Sequence, residues 1–242
     1  LLMLWLRAVV IFRLWKIVWV LYYNKIMLSL VATPIWNLED ISLRALRTLR
    51  EADCIVCEDT RHSGSLLKHF DISKPLQSFH SHSTREQAKK IIQKAQNEKI
   101  AYISDAGTPG ISDPAYLLIL EAIEQNVKIE SIPGASAILA SLVGSGLHMH
   151  DFRFLGFLPL KKGRQTLLKE LKNKDYTAII YESPHRIEKT LSELKDTFWE
   201  EHKACLAREL TKIYETYHRN TLWELLEEAK KGVFRWEIVI IF

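Results

Sequence analysis

From Met27 onward, short apolar runs alternate with longer stretches in which apolar residues recur every three or four positions. The runs predict strands at M-L-S-L-V-A (27–32), C-I-V-C (54–57), I-A-Y-I-S (100–104) and V-K-I-E-S-I (127–132). Four more are expected at F-R-F-L-G-F (152–157), T-A-I-I-Y (177–181), K-A-C-L-A (203–207) and E-I-V-I-I-F (237–242). The helical periodicity predicts a helix capped by Asn37, with Leu38, Ile41, Ala45 and Leu49 on one stripe. Further helices are expected over 84–97, about 114–125, from P-G-A-S-A to about Gly144, about 163–173, after Pro184, and from Thr221 to Lys231. Strands alternating with helices predict an α/β fold with largely parallel sheets. The pattern restarts after G-S-G-L-H-M-H (144–150), which divides the chain into an N-terminal domain over 27–146 and a C-terminal one over 147–242.

Composition adds one constraint. The chain has 242 residues, is 48% apolar and 26% charged, and can bury a sizeable core. Its net charge of +4 comes wholly from Arg7, Arg13, Lys16 and Lys25; beyond residue 26, 29 basic residues face 29 acidic ones. Overall charge therefore gives no argument for nucleic-acid binding, and any such contact must rest on local patches. Cys54 and Cys57 lie three apart on a predicted strand, so they point to opposite faces and suit neither a disulfide nor a shared metal. The histidines show no metal-ligand spacing, and no metal is expected.

Residues 1–26 break the pattern. They are apolar and aromatic, but Arg7, Arg13 and Lys16 interrupt them, and a cation at the centre of a membrane span costs roughly 2.5–3.5 kcal/mol. Charge spread through the apolar region, with no small-residue cleavage site, also fits a secretory signal poorly. The favoured expectation is that translation begins at Met27, that residues 1–26 are a leader foreign to the rest, and that the protein is cytoplasmic with no membrane contact.

Ligands bind beyond the carboxyl ends of strands in open parallel sheets. Six chemically loaded segments fall at such ends: T-P-I-W-N-L (33–38), E-D-T-R-H-S (58–63), S-D-A-G-T-P-G-I-S-D-P (104–114), I-P-G-A-S-A (132–137), Y-E-S-P-H-R (181–186) and A-R-E-L-T-K (207–212). The third is the most distinctive, because Gly107 and Gly110 permit close ligand approach beside two aspartates. No G-x-G-x-x-G and no G-x-x-x-x-G-K-[ST] occurs, which removes dinucleotide and P-loop readings. The loop L-P-L-K-K-G-R-Q (158–165) carries Lys161, Lys162 and Arg164 around Gly163 and is the best local candidate for phosphate contact.

These segments, in this order and joined by F-L-G-F-L-P (154–159), resemble the ribosomal RNA small subunit methyltransferase I family of the tetrapyrrole methylase superfamily. The resemblance runs from about Leu28 to Phe242. It implies two α/β domains with a cofactor cleft between them, S-adenosylmethionine as methyl donor, and transfer to the 2′-oxygen of a cytidine in 16S rRNA within the small ribosomal subunit. It also implies a homodimer. By carry-over, Pro34, Asn37, Asp105, Ala106, Gly107, Pro133, Gly134, Ala135, Ser136 and Ala137 would line the cofactor, approached by Tyr181, Glu182 and Ala207. Glu58, Asp59, Asp105, Glu182 and His185 are candidate bases for the ribose hydroxyl, and the choice among them stays open. Arg61, Lys161, Lys162, Arg164, Arg186 and Arg208 are candidate RNA contacts.

The sequence departs from the family pattern at Trp36, Trp199 and Trp236, where glycine is usual. Nine glycines in 242 residues are about half the usual ~7%. Either the site is altered, or the gene uses a code in which the triplet read here as tryptophan means glycine. Two other functions stay open: a small-molecule tetrapyrrole methylase, and a non-catalytic ribosome-binding protein whose cleft Trp36 blocks.

Overall fold

A computed structural model of the chain describes residues 27–234 and 237–242. The expectations about residues 1–26 and Trp236 lie outside the described residues. The chain forms two compact units: residues 27–34 with 38–135, and residues 35–37 with 136–242.

The first unit holds five strands: β1 (Met27–Val31), β2 (Cys54–Cys57), β3 (Leu76–Ser78), β4 (Lys99–Ile103) and β5 (Lys128–Ile132). They form one parallel sheet in the order β3-β2-β4-β1-β5. Helices α1 (Leu43–Glu51) and α2 (Thr60–His69) cover one face, where Leu49 and Leu67 pack on Val31, Ile55, Cys57 and Ile103. Helices α3 (Arg85–Ala95) and α4 (Ala115–Glu124) cover the other, where Ile91 and Leu118 pack on Leu28, Cys54, Val56 and Tyr102. Side chains alternate between faces along each strand, so both faces of a parallel strand must be apolar. The same alternation sends Cys54 and Cys57 into different cores, both as free thiols. α1 starts from Ser42, whose Oγ accepts the Ala45 N–H at 3.0 Å, and not from Asn37. Asn37, six residues before the helix begins, belongs to the second unit, where its N–H donates to Thr211 Oγ1 at 3.3 Å.

The second unit begins with α5 (Ala137–Ser145) and continues through β6 (Phe152–Phe157), α6 (Arg164–Leu171), β7 (Thr177–Glu182) and α7 (Ile187–Phe198). It ends with β8 (Lys203–Arg208), β9 (Thr216–Thr221), α8 (Leu222–Lys230) and β10 (Ile238–Ile241). The strand order is β6-β7-β10-β8-β9. Only β6 and β7 are parallel; the pairs through β10 and β9 are antiparallel, which corrects the expectation of a largely parallel sheet. β8 turns straight back into β9 without a helical crossover, and antiparallel pairing is what so short a connection allows. α6, α7 and α8 share one core with Ala178, Ile180, Leu206 and Ile240. α5 packs on the sheet through β8 and β10, with the Tyr217 hydroxyl donating to the Ala140 carbonyl at 3.1 Å. The sequence pattern placed this helix at the end of the first domain, whereas contacts group it with the second unit.

α7 ends at Trp199, whose φ of 83° and ψ of 164° fall in a region that is in practice reserved for glycine. Trp36 also has a positive φ, 152°. A side chain held there is strained by on the order of 1–3 kcal/mol. Trp199 is exposed, so little packing offsets that strain. Trp199→Gly is therefore expected to raise unfolding stability by about 1–2 kcal/mol in denaturant titration, whereas a loss of stability would show the ring to be needed.

Candidate functional site

All five strands of the first unit run parallel, so their carboxyl ends lie along one edge. The turns that leave this edge are bonded to one another. Thr33 and Gly107 exchange two backbone hydrogen bonds at 3.0 and 3.2 Å, and Thr33 Oγ1 donates to the Ser104 carbonyl at 3.3 Å. The Ala32 N–H donates to the Ile132 carbonyl, and Thr108 Oγ1 to the Ala135 carbonyl at 3.1 Å. Gly134 lies so close to β1 that a Cβ there would stand 2.9 Å from that of Ala32. Gly107 has φ 79°, so its turn also needs glycine. Pro34 and Gly107 are buried in this arrangement, while Asp105, Ala106, Pro133 and Gly134 face solvent from it.

Carboxylates gather at the same edge. Glu58 follows directly on β2 and is half-buried; its Oε1 accepts the Asp105 N–H at 3.3 Å. Asp105 Oδ1 in turn accepts the Asp59 N–H at 3.3 Å. Burial, helped by the neighbouring Asp105 and Asp113 carboxylates, pushes the Glu58 carboxyl above the usual carboxylate range. Asp59 is held well below it, by hydrogen bonds from the Arg61 side chain and backbone, while it caps α2. Sequence reading missed three neighbours. Asp113 accepts the Gly110 and Ala115 N–H groups at 2.7 and 2.8 Å and so shapes the 104–114 turn. His62 Nε2 lies 3.0 Å from the Asp105 carbonyl. The fully buried Tyr102 hydroxyl has no hydrogen-bond partner, and burial raises its pKa strongly. Among the described residues no group of three His, Cys, Asp or Glu side chains is placed to hold a metal ion.

The remaining carried-over residues belong to the second unit: Asn37, Ser136, Ala137, Tyr181, Glu182 and Ala207. Ser136 caps α5, its Oγ accepting the Leu139 N–H. Tyr181, Val239 and Ala207 stand side by side across β7, β10 and β8. They share the sheet face opposite the core that holds Ile180, Leu206 and Ile240. Burial pushes the Tyr181 hydroxyl up to about 12. Glu182, one residue on, points to the other face and is buried. Its Oε2 accepts the Thr190 hydroxyl at 2.6 Å, and its Oε1 meets Arg186 Nε at 3.2 Å and the Ser183 N–H at 2.8 Å. Strand alternation thus separates it from Tyr181 and Ala207, and its partners leave it no part as a base.

Two proposed RNA contacts are also corrected. Arg164 is buried, with Nε on Glu193 at 2.6 Å, Nη1 on the Pro159 carbonyl at 3.1 Å and Nη2 on the Thr190 hydroxyl at 2.7 Å. Arg186 uses Nη2 on the Leu158 carbonyl at 2.8 Å as well as Nε on Glu182. Their sequence position beside Lys161 and His185 gave no sign of this: the Arg164 partners Thr190 and Glu193 come from α7, and Arg186 reaches back to the Leu158 carbonyl. Lys161 and Lys162 are exposed, as are His185 and Arg61, the last paired with Asp59 at 2.8 Å. Arg208 Nε donates across the β8–β9 pair to Thr216 Oγ1 at 2.9 Å. Trp36 donates from Nε1 to Glu237 at 2.7 Å and lies beneath Lys212 Nζ, 4.3 Å from the ring centroid.

Two α/β units of this topology define a tetrapyrrole methylase fold. Diphthine synthase superposes with a TM-score of 0.69 at 18% identity, over 89% of both chains. A uroporphyrin-III C-methyltransferase from Thermus thermophilus, solved with S-adenosyl homocysteine, gives 0.61 at 17% identity over 89% of this chain and 96% of that one. Residues 27–226 match the tetrapyrrole (corrin/porphyrin) methylase family. A ribosomal RNA small subunit methyltransferase I from Halalkalibacterium halodurans is 44% identical over 220 residues, 90% of this chain and 76% of that protein. The chain belongs to the ribosomal RNA small subunit methyltransferase I family within the tetrapyrrole methylases.

Gly134→Ala tests the stitched edge directly. The added methyl must push the 132–135 turn off β1, and S-adenosylmethionine affinity measured by calorimetry is expected to fall roughly tenfold or more. Unchanged affinity in the folded variant would remove that turn from the cofactor site.

Proposed function

We propose that this chain transfers the methyl group of S-adenosylmethionine to the 2′-hydroxyl of a cytidine in 16S rRNA of the small ribosomal subunit, with Glu58 as the general base. Family membership supports the reaction, and one observation carries the choice of base. Among the five candidate groups, Glu58 alone is a half-buried carboxylate raised by its surroundings at the edge where the 104–114 turn begins. Glu182 is bound up on the opposite face of its sheet. Asp59 is a helix cap with its affinity for protons lowered by Arg61. Asp105 is exposed and gives Oδ1 to the Asp59 amide, and His185 is exposed at a turn.

Asp105, Ala106, Pro133, Gly134 and Ala135 present main chain from an edge that the Thr33–Gly107 and other cross-turn hydrogen bonds make rigid, which suits close packing of a nucleoside and amino-acid cofactor. S-adenosylmethionine supplies an already activated sulfonium methyl. The protein must then align the ribose oxygen and remove its proton. Glu58 accepts that proton as O2′ gains the methyl, so the positive charge lost from sulfur ends as a proton on the carboxylate. Lys161 and Lys162, exposed on the loop before α6, contact RNA phosphates, and Arg61 adds a further cation near the base. The reading includes a cytoplasmic homodimer acting on the small subunit. Among the described residues no helix is long and apolar enough to cross a membrane.

A raised folded-state pKa also fixes the sign of a stability effect. The stability that Glu58 contributes is complete below its unfolded pKa and is lost as pH rises through its folded value, so at neutral pH the ionised carboxylate weighs against the fold. Glu58→Gln is expected to keep or raise Tm at pH 7 while kcat on unmethylated small subunits falls roughly 10²–10⁴-fold. The wild-type kcat/KM should drop on the acid side with an inflection above the usual carboxylate range, and that limb should vanish in the variant. Wild-type kcat in Glu58→Gln would remove Glu58 as the base.

A further inference from the structure

We propose that Thr190 is a positioning residue whose buried hydroxyl couples the Lys161–Lys162 loop to the Tyr181–Arg186 turn and so holds the two lysines in register with RNA phosphates. The proposal rests on the reading of those lysines as phosphate contacts.

The observation is a closed circuit of polar contacts inside the second unit. Arg186 binds the Leu158 carbonyl and Glu182; Glu182 accepts the Thr190 hydroxyl. Thr190 accepts from Arg164, and Arg164 returns to the Pro159 carbonyl. Two successive carbonyls at the root of the lysine loop are thus gripped by two guanidinium groups, which are joined to each other only through Glu182 and Thr190. Glu193 balances the second cation at 2.6 Å from Arg164 Nε. Thr190 and the Glu182 side chain are fully buried, and each circuit member is satisfied.

Neither local helix chemistry nor packing accounts for the arrangement. Arg164 opens α6, and a cation at a helix N-terminus opposes the helix dipole. Gly163, the preceding residue, has φ 85° and provides no side-chain cap. Beyond Leu158 the loop has no apolar anchor: Leu160, Lys161, Lys162 and Gly163 are all exposed. The polar circuit is therefore what sets the height and direction of the two lysines. A buried charge network of this kind is often no more stabilising than apolar packing, so a geometric role gives it a reason to exist. Thr190 is the one uncharged side chain in the circuit. Replacing its hydroxyl by a methyl opens the circuit without removing a charge or changing the volume much.

The test compares full-length variants in steady-state methyl transfer to unmethylated small subunits over a range of salt concentrations, with subunit concentration varied. Lys161→Ala/Lys162→Ala should raise KM roughly tenfold and reduce the dependence of log KM on log salt by roughly 1–2. Thr190→Val should reproduce a roughly three- to tenfold rise in KM and part of the change in salt dependence, with kcat within about twofold, while Thr190→Ser restores both. Arg164→Lys, which keeps the charge but loses the planar fork, should match Thr190→Val and serves if the valine variant fails to fold. Hydrogen exchange should quicken at the Arg164 and Leu167 amides, which donate to the Lys161 and Gly163 carbonyls, in either variant and not across β8. Wild-type KM and salt dependence in folded Thr190→Val or Arg164→Lys, beside a shifted double-lysine variant, would overturn the coupling alone. No shift in the double-lysine variant would overturn the phosphate reading and the coupling with it.

Discussion

Hydrogen bonds between the turns that leave one edge of a parallel sheet are the constraint on which the first unit's chemistry rests. Parallel pairing brings all five carboxyl ends to the same side, and the mutual bonds of Thr33 and Gly107 lock two of the turns together. Nothing apolar could do this, because the segments are short and rich in Gly, Pro and Asp. Backbone amides and carbonyls satisfy each other across the edge, so Asp105 and Glu58 are held at fixed positions without a dedicated scaffold. The burial that shifts Glu58 follows from the same crowding, as does the tight approach of Gly134 to Ala32.

The second unit solves a different problem with a different device. Its sheet is mostly antiparallel, so strand ends alternate in direction and cannot form one common edge. Side-chain parity takes over. Tyr181 and Ala207 share one face across β10, while Glu182 drops to the other and enters the Arg164–Thr190–Arg186 circuit. Adjacent residues of one six-residue motif therefore have unrelated surroundings, one on the sheet face opposite the core and one bonded to Thr190 and Arg186.

Periodicity made most elements legible. The buried strands and the amphipathic helices α3, α7 and α8 follow from apolar spacing, with Thr84 and Thr221 capping the first and last of these. α2 was not legible, because T-R-H-S-G-S reads as a turn until Asp59 is seen to cap it. β9, T-Y-H-R-N-T, carries no alternation, and it forms because β8 offers it an antiparallel partner. In the candidate site, residue types at strand ends pointed to segments, and the structure joins those of the first unit by hydrogen bonds. They could not show that Glu58 is shielded or that Arg164 is turned inward. Those facts depend on partners 20 to 50 residues away in the chain, such as Asp105 for Glu58 and Glu193 for Arg164.

The order β6-β7-β10-β8-β9 puts the last described strand at the centre of its sheet. Without β10, Ile180 and Leu206 have no neighbour between them, and the sheet is two separate pairs with bare edges. On the ribosome the first unit, all of whose strands precede residue 135, can close while the second is still held open. The sheet that carries the Tyr181 face is thus completed only once residues 238–241 are available to pair with both β7 and β8.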